Sequence, residues 1–253
     1  MFKNAIVRKP GQSIVHGLSS GDLGLPIYKK ALLQHKKYIE ALKTCGLKVQ
    51  VLDADNFFPD STFVEDVSLC TPHCAIITNS SAPSRKGESA CMQDILNQYY
   101  DNIEIIKTPG TLDAGDVMMV ENHFYIGLSN RTNIIGARQL IGILKKFGMT
   151  GVTVPLKEVL HLKTGVSYLE NNTLLVSGEF VCSNHFESFN KIIVNDNEKY
   201  AANSLWINGT VLVPKNHPDT ILKIKNAGYT VVELDMSEFQ KIDGGLSCLS
   251  LRF

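Results

Sequence analysis

The segment SLWINGTVLVP, residues 204–214, contains two β-rich runs on either side of Asn208-Gly209. Asn-Gly between two such runs is the strongest short-range signal for a β-hairpin. A helical pattern follows over Asp219 to Ala227, Gly228 is a stop signal, and the apolar run YTVVELD comes next. This part of the chain therefore predicts one unit that consists of a hairpin, a helix and a third strand.

The same order of elements recurs three times upstream. Hairpins are predicted for the segments VSLCTPHCAIIT (67–78), VMMVENHFYIGL (117–128) and VSYLENNTLLVSG (166–178). A helical stretch and a short apolar run follow each of them, although the stretch after the third hairpin is short and poorly patterned. The clearest helix is Thr132 to Phe147, whose apolar residues suit one broad face. Recurrence of this kind indicates a repeat architecture.

The two ends of the chain supply a fifth unit in split form. NAIVRKP (4–10) is predicted as a strand, Ile27 to Thr44 as a helix, and LKVQVLD (47–53) as a strand. The C-terminal LSCLSLRF (246–253) can pair with NAIVRKP to complete the hairpin. Five ββαβ units would then close into a ring without exposed sheet edges. The alternative is a plain α/β sandwich with coincidental spacing.

Composition narrows the class of protein. The chain has 25 Lys and Arg against 25 Asp and Glu, so its formal charge is zero. A nucleic-acid or anionic-membrane surface needs a surplus of cations, so we expect neither partner. No apolar run approaches the roughly 18 residues of a membrane span, and the N-terminus lacks the apolar region of a secretory signal. We therefore expect a cytoplasmic protein, and without a linker-like segment we expect residues 1–253 to form a single domain.

The six cysteines are too thinly spread for a disulfide scaffold. Cys70 and Cys74 enclose His73 and could begin a metal site, but no second Cys/His cluster follows. The favoured interpretation is two small apolar residues in a hairpin, and no metal is expected.

Reactive side chains recur just before, or at the opening of, the predicted hairpins. They are Asp60, Glu65, Asp66, Asp113, Asp116, His161, Asn203 and Cys248. In a ring of repeats, equivalent positions face the same end of the central axis. Carboxylates, an imidazole and a thiol would therefore converge, as covalent catalysis requires.

Six motifs, taken together and in order, resemble the dimethylarginine dimethylaminohydrolases, also called dimethylargininases. The motifs are PDSTFVEDV, APSRKGE, LDAGDV, LSNRTN, HLKTG and IDGGLSCLSLRF. The resemblance covers essentially the whole chain. It implies the fold of the guanidino-group-modifying superfamily, a five-fold pseudo-symmetric α/β propeller (pentein), which agrees with the five units above.

The resemblance also assigns catalytic roles. It implies that Cys248 is the nucleophile, that His161 is the general acid/base, and that Asp113 orients His161. A guanidinium carbon is a poor electrophile, so a thiolate is needed to attack it. The imidazole then protonates the departing amine, and water hydrolyses the thiouronium adduct. The implied products are citrulline and methylamine or dimethylamine, and no cofactor is required.

Three acidic residues are implied to belong to the substrate pocket. Glu65 and Asp66 match the guanidinium-binding acids of the family, and Asp60 matches another polar residue of the pocket. Glu65 and Asp66 are adjacent, and in a strand they would point to opposite faces. If both contact the substrate, the backbone there must be irregular.

Three further residues are implied to hold the amino-acid end of the substrate, and a fourth is implied to lie on a lid. Arg85 and Arg131 match arginines that bind the α-carboxylate, for which a planar guanidinium fork is suited. Leu18 lies in a Gly/Ser-rich stretch and matches a residue of a mobile lid. Ile242 matches a backbone contact.

Three other functions remain open on the sequence. Arginine deiminases are usually longer and tend to carry an acid two residues after the catalytic histidine, where this chain has Lys163. Amidinotransferases share the nucleophile but are also longer. A non-catalytic binding propeller would lack the catalytic residues. The favoured prediction is an enzyme with a small-molecule methylated arginine as substrate, acting as a monomer or homodimer.

Overall fold

A computed structural model describes all residues, 1–253. The chain divides into two compact units, one formed by Met1–Val64 with Gly165–Phe253 and the other by Glu65–Thr164. The strands are β1 Asn4–Arg8, β2 Lys48–Leu52, β3 Ser68–Cys70, β4 Ala75–Ile77, β5 Ile103–Ile105, β6 Val117–Val120, β7 His123–Leu128, β8 Thr150–Pro155, β9 Val166–Tyr168, β10 Thr173–Val176, β11 Asn190–Ile193, β12 Leu205–Ile207, β13 Thr210–Pro214, β14 Thr230–Leu234 and β15 Leu251–Arg252.

The α-helices are α1 Tyr28–Thr44, α2 Val64–Val67, α3 Met92–Leu96, α4 Ile134–Lys146, α5 Leu162–Gly165, α6 Pro218–Asn226 and α7 Ser237–Gln240. Short 3₁₀ turns cover Gln12–His16, Pro83–Arg85, Glu88–Cys91, Ala114–Asp116, Gly178–Phe180, Asn184–Phe186, Asp196–Ala202 and Ser247–Leu249. None of the helices combines the length and the hydrophobicity that a membrane crossing needs.

Five three-stranded sheets repeat one pattern, in which the central strand is antiparallel to one neighbour and parallel to the other. Four have the orders β3-β4-β5, β6-β7-β8, β9-β10-β11 and β12-β13-β14. The fifth has the order β15-β1-β2, with Ala5 opposite Arg252. The predicted pairing of the C-terminal strand with the N-terminal strand is therefore confirmed, as are the four predicted hairpins.

The hairpin turns form where the sequence allows positive φ angles. Asn208 has φ 48° and Gly209 has φ 91°, and a type I′ turn needs positive φ at both central residues. Asn171 and Asn172 also have positive φ, at 52° and 55°. Asparagine tolerates this region better than most residues, which is why these turns could be located from sequence.

The core of Glu65–Thr164 forms between its sheets and α4. The buried face of α4 contains Ala137, Leu140 and Leu144. At its N-terminus, the Asn133 side chain accepts a hydrogen bond of 2.8 Å from the backbone N–H of Gly136, an N-cap. Helix α4 is thereby held against the segment that leads into Asp113.

In the other unit, α1 packs on the segment near the C-terminus. Tyr38 is fully buried, and its hydroxyl donates to the backbone carbonyl of Leu246 over 2.9 Å. The same hydroxyl lies 2.7 Å from Oγ of Ser250. Helix α1 therefore fixes the chain on both sides of Cys248.

Candidate active site

The predicted site residues are divided between the two units. Leu18, Asp60, Ile242 and Cys248 belong to the unit with both termini, and Glu65, Asp66, Arg85, Asp113, Arg131 and His161 belong to Glu65–Thr164.

Glu65 and Asp66 lie in the single helical turn α2. Adjacent helical residues project about 100° apart rather than to opposite faces. Both side chains are buried. The backbone at Glu65 and Asp66 is therefore a helical turn rather than an extended strand, so the two side chains are not forced to opposite faces.

Arg85 is a buried cation held between two carboxylates. It donates from Nε and Nη2 to Glu88 over 2.7 and 2.6 Å, and from Nη1 to Asp66. Burial disfavours both charged groups, but their attraction outweighs it. The pKa of Asp66 is therefore lowered, chiefly by Arg85 and His161, and the pKa of Arg85 is raised by Asp66 and Glu88.

Glu65 has its own cation. Nζ of Lys163 lies 2.7 Å from Oε1 of Glu65, and both side chains are largely buried. The acids predicted to bind a guanidinium are thus each paired with a basic residue of the same unit.

Asp113 is buried close to like charge. Burial and repulsion from Asp66 raise its pKa to about 6, against the opposing effects of His161 and Arg85. Its backbone N–H donates to Oγ1 of Thr132 over 3.2 Å. The carboxyl group therefore changes charge more readily near neutral pH than an ordinary aspartate does.

His161 is 12% exposed and faces two carboxylates. Its Nδ1 lies 3.4 Å from Oδ2 of Asp116, and its Nε2 lies 4.0 Å from Oδ1 of Asp66. Burial alone would lower the pKa of His161, but Asp116, Asp66 and Asp113 raise it to about 9. The imidazole is therefore charged at neutral pH. Asp113 raises the pKa of His161 through its charge. The ion pairs of His161 are with Asp116 and Asp66.

Arg131 is half-buried in the loop after β7. Its backbone N–H donates to Oγ of Ser129 over 2.9 Å, which fixes the main chain. The guanidinium makes no ion pair with a carboxylate of the chain, in contrast to that of Arg85.

Cys248 lies in the 3₁₀ turn Ser247–Leu249 and is half-buried. The backbone N–H of Gly245 points at its Sγ over 3.4 Å, a contact that favours a thiolate. Asn203 holds the turn, because its Oδ1 accepts from the Ser247 N–H over 3.0 Å and its Nδ2 donates to Oγ of Ser247 over 3.1 Å.

Close packing explains the two glycines before Cys248. A Cβ on Gly244 would lie 2.3 Å from the ring of Phe63, and a Cβ on Gly245 would lie 2.4 Å from the side chain of Asn203. Neither position has room for a side chain. The glycines therefore bring the turn against its supports.

Three of the predicted substrate contacts meet within the same unit. The backbone N–H of Leu18 donates to Oδ1 of Asp60 over 3.0 Å. A Cβ on Gly17 would lie 3.1 Å from Ile242. The backbone N–H of Ser20 donates to Oδ2 of Asp243 over 2.6 Å. The Gly/Ser-rich loop is therefore attached to the segment that contains Ile242.

The model of the family described as "N,N dimethylarginine dimethylhydrolase, eukaryotic" matches residues 24–210. A protein of Pseudomonas aeruginosa called N(G),N(G)-dimethylarginine dimethylaminohydrolase is 53% identical, and the match covers 100% of both chains. This chain belongs to the dimethylarginine dimethylaminohydrolase family. A Streptomyces coelicolor protein of the same name is 32% identical over 99% of this chain and 96% of its own.

Solved structures agree with the family assignment. A dimethylarginine dimethylaminohydrolase from P. aeruginosa, a Cys-to-Ser mutant with citrulline, superimposes with a TM-score of 0.99 at 52% identity over the full length of both chains. A dimethylarginine dimethylaminohydrolase with a His-to-Gly change, solved as its adduct with S-methyl-L-thiocitrulline, gives the same TM-score, identity and coverage. The N-terminal domain of ArgZ shares the fold alone, with a TM-score of 0.88 at 19% identity over 98% of this chain and 97% of that one.

Three partners in this dimethylarginine dimethylaminohydrolase family member were not assigned from sequence. They are Glu88 on Arg85, Lys163 on Glu65, and Asp116 on Nδ1 of His161. Glu88 follows Arg85 by three residues, a spacing that permits an ion pair in a helical turn. Asp116 is among the reactive residues predicted to converge, but its pairing with Nδ1 of His161 joins residues far apart in sequence and has no local signal.

Proposed function

We propose that this chain hydrolyses Nω-methylated arginines, namely asymmetric dimethylarginine and monomethylarginine, to citrulline and dimethylamine or methylamine. The observation that carries this is the 53% identity, over its full length, to a protein named for that reaction. The buried acids of Glu65–Thr164 and the supported thiol of Cys248 supply the types of group that such chemistry needs.

The proposal includes the arrangement of the five sheets. The five units close into one ring, the α/β propeller of the pentein superfamily, and residues 1–253 act as a single domain. The pairing of β15 with β1 and the common pattern of the sheets support this, as does the TM-score of 0.99.

Substrate binding uses charge at both ends of the ligand. Glu65 and Asp66 hold the guanidinium, with Asp60 as a further polar contact. The guanidinium of the bound substrate contacts the carboxylate of Asp66, which also pairs with Arg85. The α-carboxylate binds Arg131, whose guanidinium makes no other ion pair, together with Arg85.

The backbone closes over the amino-acid end. Leu18 lies on the loop that covers the substrate, and Ile242 offers a backbone contact. The hydrogen bond from Leu18 to Asp60 supports this, because it links the loop to a residue of the proposed pocket.

The reaction proceeds in two steps at the guanidinium carbon. The thiolate of Cys248 attacks, and His161 gives its proton to the departing amine. Water then attacks the thiouronium carbon while His161 takes a proton from it, and the C–S bond breaks to release citrulline. Asp113 serves as the third catalytic residue by stabilising the charge on His161, in line with its effect on that pKa.

The enzyme acts in the cytoplasm on a small molecule, as a monomer or homodimer, without nucleic acid or membrane as a partner. The formal charge of zero supports the last point.

Citrulline release from asymmetric dimethylarginine and, in parallel, from arginine tests the function. We expect release from the methylated substrate, its loss in Cys248→Ser, and its retention in Cys182→Ser, which changes an exposed cysteine. Release mainly from arginine would reassign the chain as a short deiminase. No release from either substrate would leave another guanidine or a binding role.

A further inference from the structure

We propose that Asp116 is the positioning residue that orients the ring of His161 through Nδ1. The activity part of the test rests on the proposed function, whereas the geometry stands within Glu65–Thr164 alone.

The carboxylate of Asp116 is fixed before any substrate arrives. The side chain is completely buried. Its Oδ2 accepts hydrogen bonds of 2.7 Å from Oγ of Ser129 and 2.7 Å from Oγ1 of Thr132. An acceptor held in this way needs no rearrangement to fix its partner, which is the advantage of a preorganised site.

The same carboxylate also holds the backbone next to the imidazole. Its Oδ1 accepts the N–H of Leu162 over 3.0 Å. A Cβ on Gly127 would lie 3.1 Å from this oxygen and 3.0 Å from Cβ of Leu162. One residue therefore fixes both the main chain at His161 and the side of the ring that carries Nδ1.

Nδ1 of His161 has Asp116 as its neighbour. Nδ1 is buried and makes no hydrogen bond in this structure, and its nearest carboxylate contact is the ion pair of 3.4 Å with Oδ2 of Asp116. This is longer than a typical hydrogen bond of about 2.9 Å. Catalytic hydrogen bonds are often long without substrate and shorten when it binds.

Asp113 has a different set of neighbours from Asp116. The pKa of Asp113 responds to the charges of Asp66, His161 and Arg85 and is lowered by Ser80. The ion pairs of His161 are with Asp116 and Asp66. A Cβ on Gly115, between the two aspartates, would lie 3.1 Å from Cγ of His161, so the main chain itself passes the ring there.

The arrangement determines which nitrogen exchanges the proton. An acceptor at Nδ1 keeps a proton on that atom, and Nε2 is then the nitrogen that gives and takes protons during the reaction. This is the arrangement in which a buried aspartate holds a catalytic histidine in one tautomer.

Asp116→Asn and Asp113→Asn, made as a matched pair, test the assignment. For Asp116→Asn we expect kcat to fall about 100-fold or more, with KM for asymmetric dimethylarginine changed by less than about threefold. ¹⁵N NMR of labelled histidines, with His161→Gln to identify the signal, should show the pKa of His161 lowered by about one unit or more. Asp113→Asn should keep the Nδ1–H signal, since the carboxylate of Asp116 still faces Nδ1.

The reverse NMR result would overturn the proposal, with the Nδ1–H signal lost in Asp113→Asn and kept in Asp116→Asn. If Asp116→Asn does not fold, the wild-type spectrum decides. An imidazole above its pKa that carries its proton on Nδ1 supports the assignment, and one that carries it on Nε2 contradicts it. Inactivity of the wild type on methylated arginines would refute the proposed function without changing the NMR outcome.

Discussion

Arg85 shows how a functional side chain is constrained by its neighbours. The sequence assigns it to a substrate carboxylate, and in the structure Glu88 and Asp66 already take three of its donors. A buried cation left with one partner fewer is costly, because desolvation is then no longer offset.

We expect Glu88→Gln to lower the free energy of unfolding by about 3 kcal/mol or more, measured by urea denaturation. The control is Glu40→Gln, which removes an exposed partner of Lys37 and should leave the midpoint unchanged. Equal effects of the two variants would show that the buried pair has no special role.

Replacement of Arg131 is expected to affect substrate binding rather than stability. Its guanidinium has no ion pair to break, so Arg131→Ala should raise KM for asymmetric dimethylarginine about tenfold or more, as expected when a charge-assisted contact of roughly 1.5–3 kcal/mol is lost, with little change in the free energy of unfolding. Steady-state kinetics and urea denaturation of the same preparation separate the two effects. An unchanged KM would remove Arg131 from the proposed carboxylate site.

At the scale of the element, α4 contains two glycines with opposite surroundings. A Cβ on Gly136 would lie 2.0 Å from the carbonyl oxygen of Thr111, whereas a Cβ on Gly142 would meet nothing within 4 Å. The first glycine allows a close approach, and the second only weakens the helix.

We therefore expect Gly142→Ala to stabilise the protein by about 0.5–1 kcal/mol through helix propensity, and Gly136→Ala to destabilise it because the helix must move away from Thr111. Thermal and urea unfolding of both variants are the measurements. Similar effects at the two positions would contradict the packing described here.

The elements themselves were predictable because their signals are local. The turns at Asn208-Gly209 and Asn171-Asn172 follow from residues that adopt positive φ, and α4 follows from its apolar periodicity. The ion pair between His161 and Asp116 was not predictable. Asp113 and Asp116 are three residues apart, and the 3₁₀ turn Ala114–Asp116 determines which of them faces the ring. That turn depends on contacts with Thr132 and Leu162, which only the folded chain brings together.

For the whole molecule, stability should depend on pH through His35. This residue is 2% exposed in the core and packs near Phe239. Burial, with a smaller effect from Lys9, lowers its pKa to about 4. Between that value and the ordinary value of about 6.5 the unfolded chain binds the proton better, so stability falls as the pH falls through this range.

We expect this one group to remove up to about 3 kcal/mol of stability between pH 7 and pH 4. Urea denaturation of the wild type and His35→Leu across that range measures it, and the variant should lose less. An identical acid loss in both proteins would exclude His35 as the cause.

Catalysis in this family member passes through a covalent adduct on Cys248. The most direct measurement is mass spectrometry of His161→Gly after acid quenching of its reaction with S-methyl-L-thiocitrulline. We predict added mass on the C-terminal peptide that contains Cys248, and none in the protein that also carries Cys248→Ser. The covalent pathway is wrong if Cys248 stays unmodified and the single variant Cys248→Ser still produces citrulline.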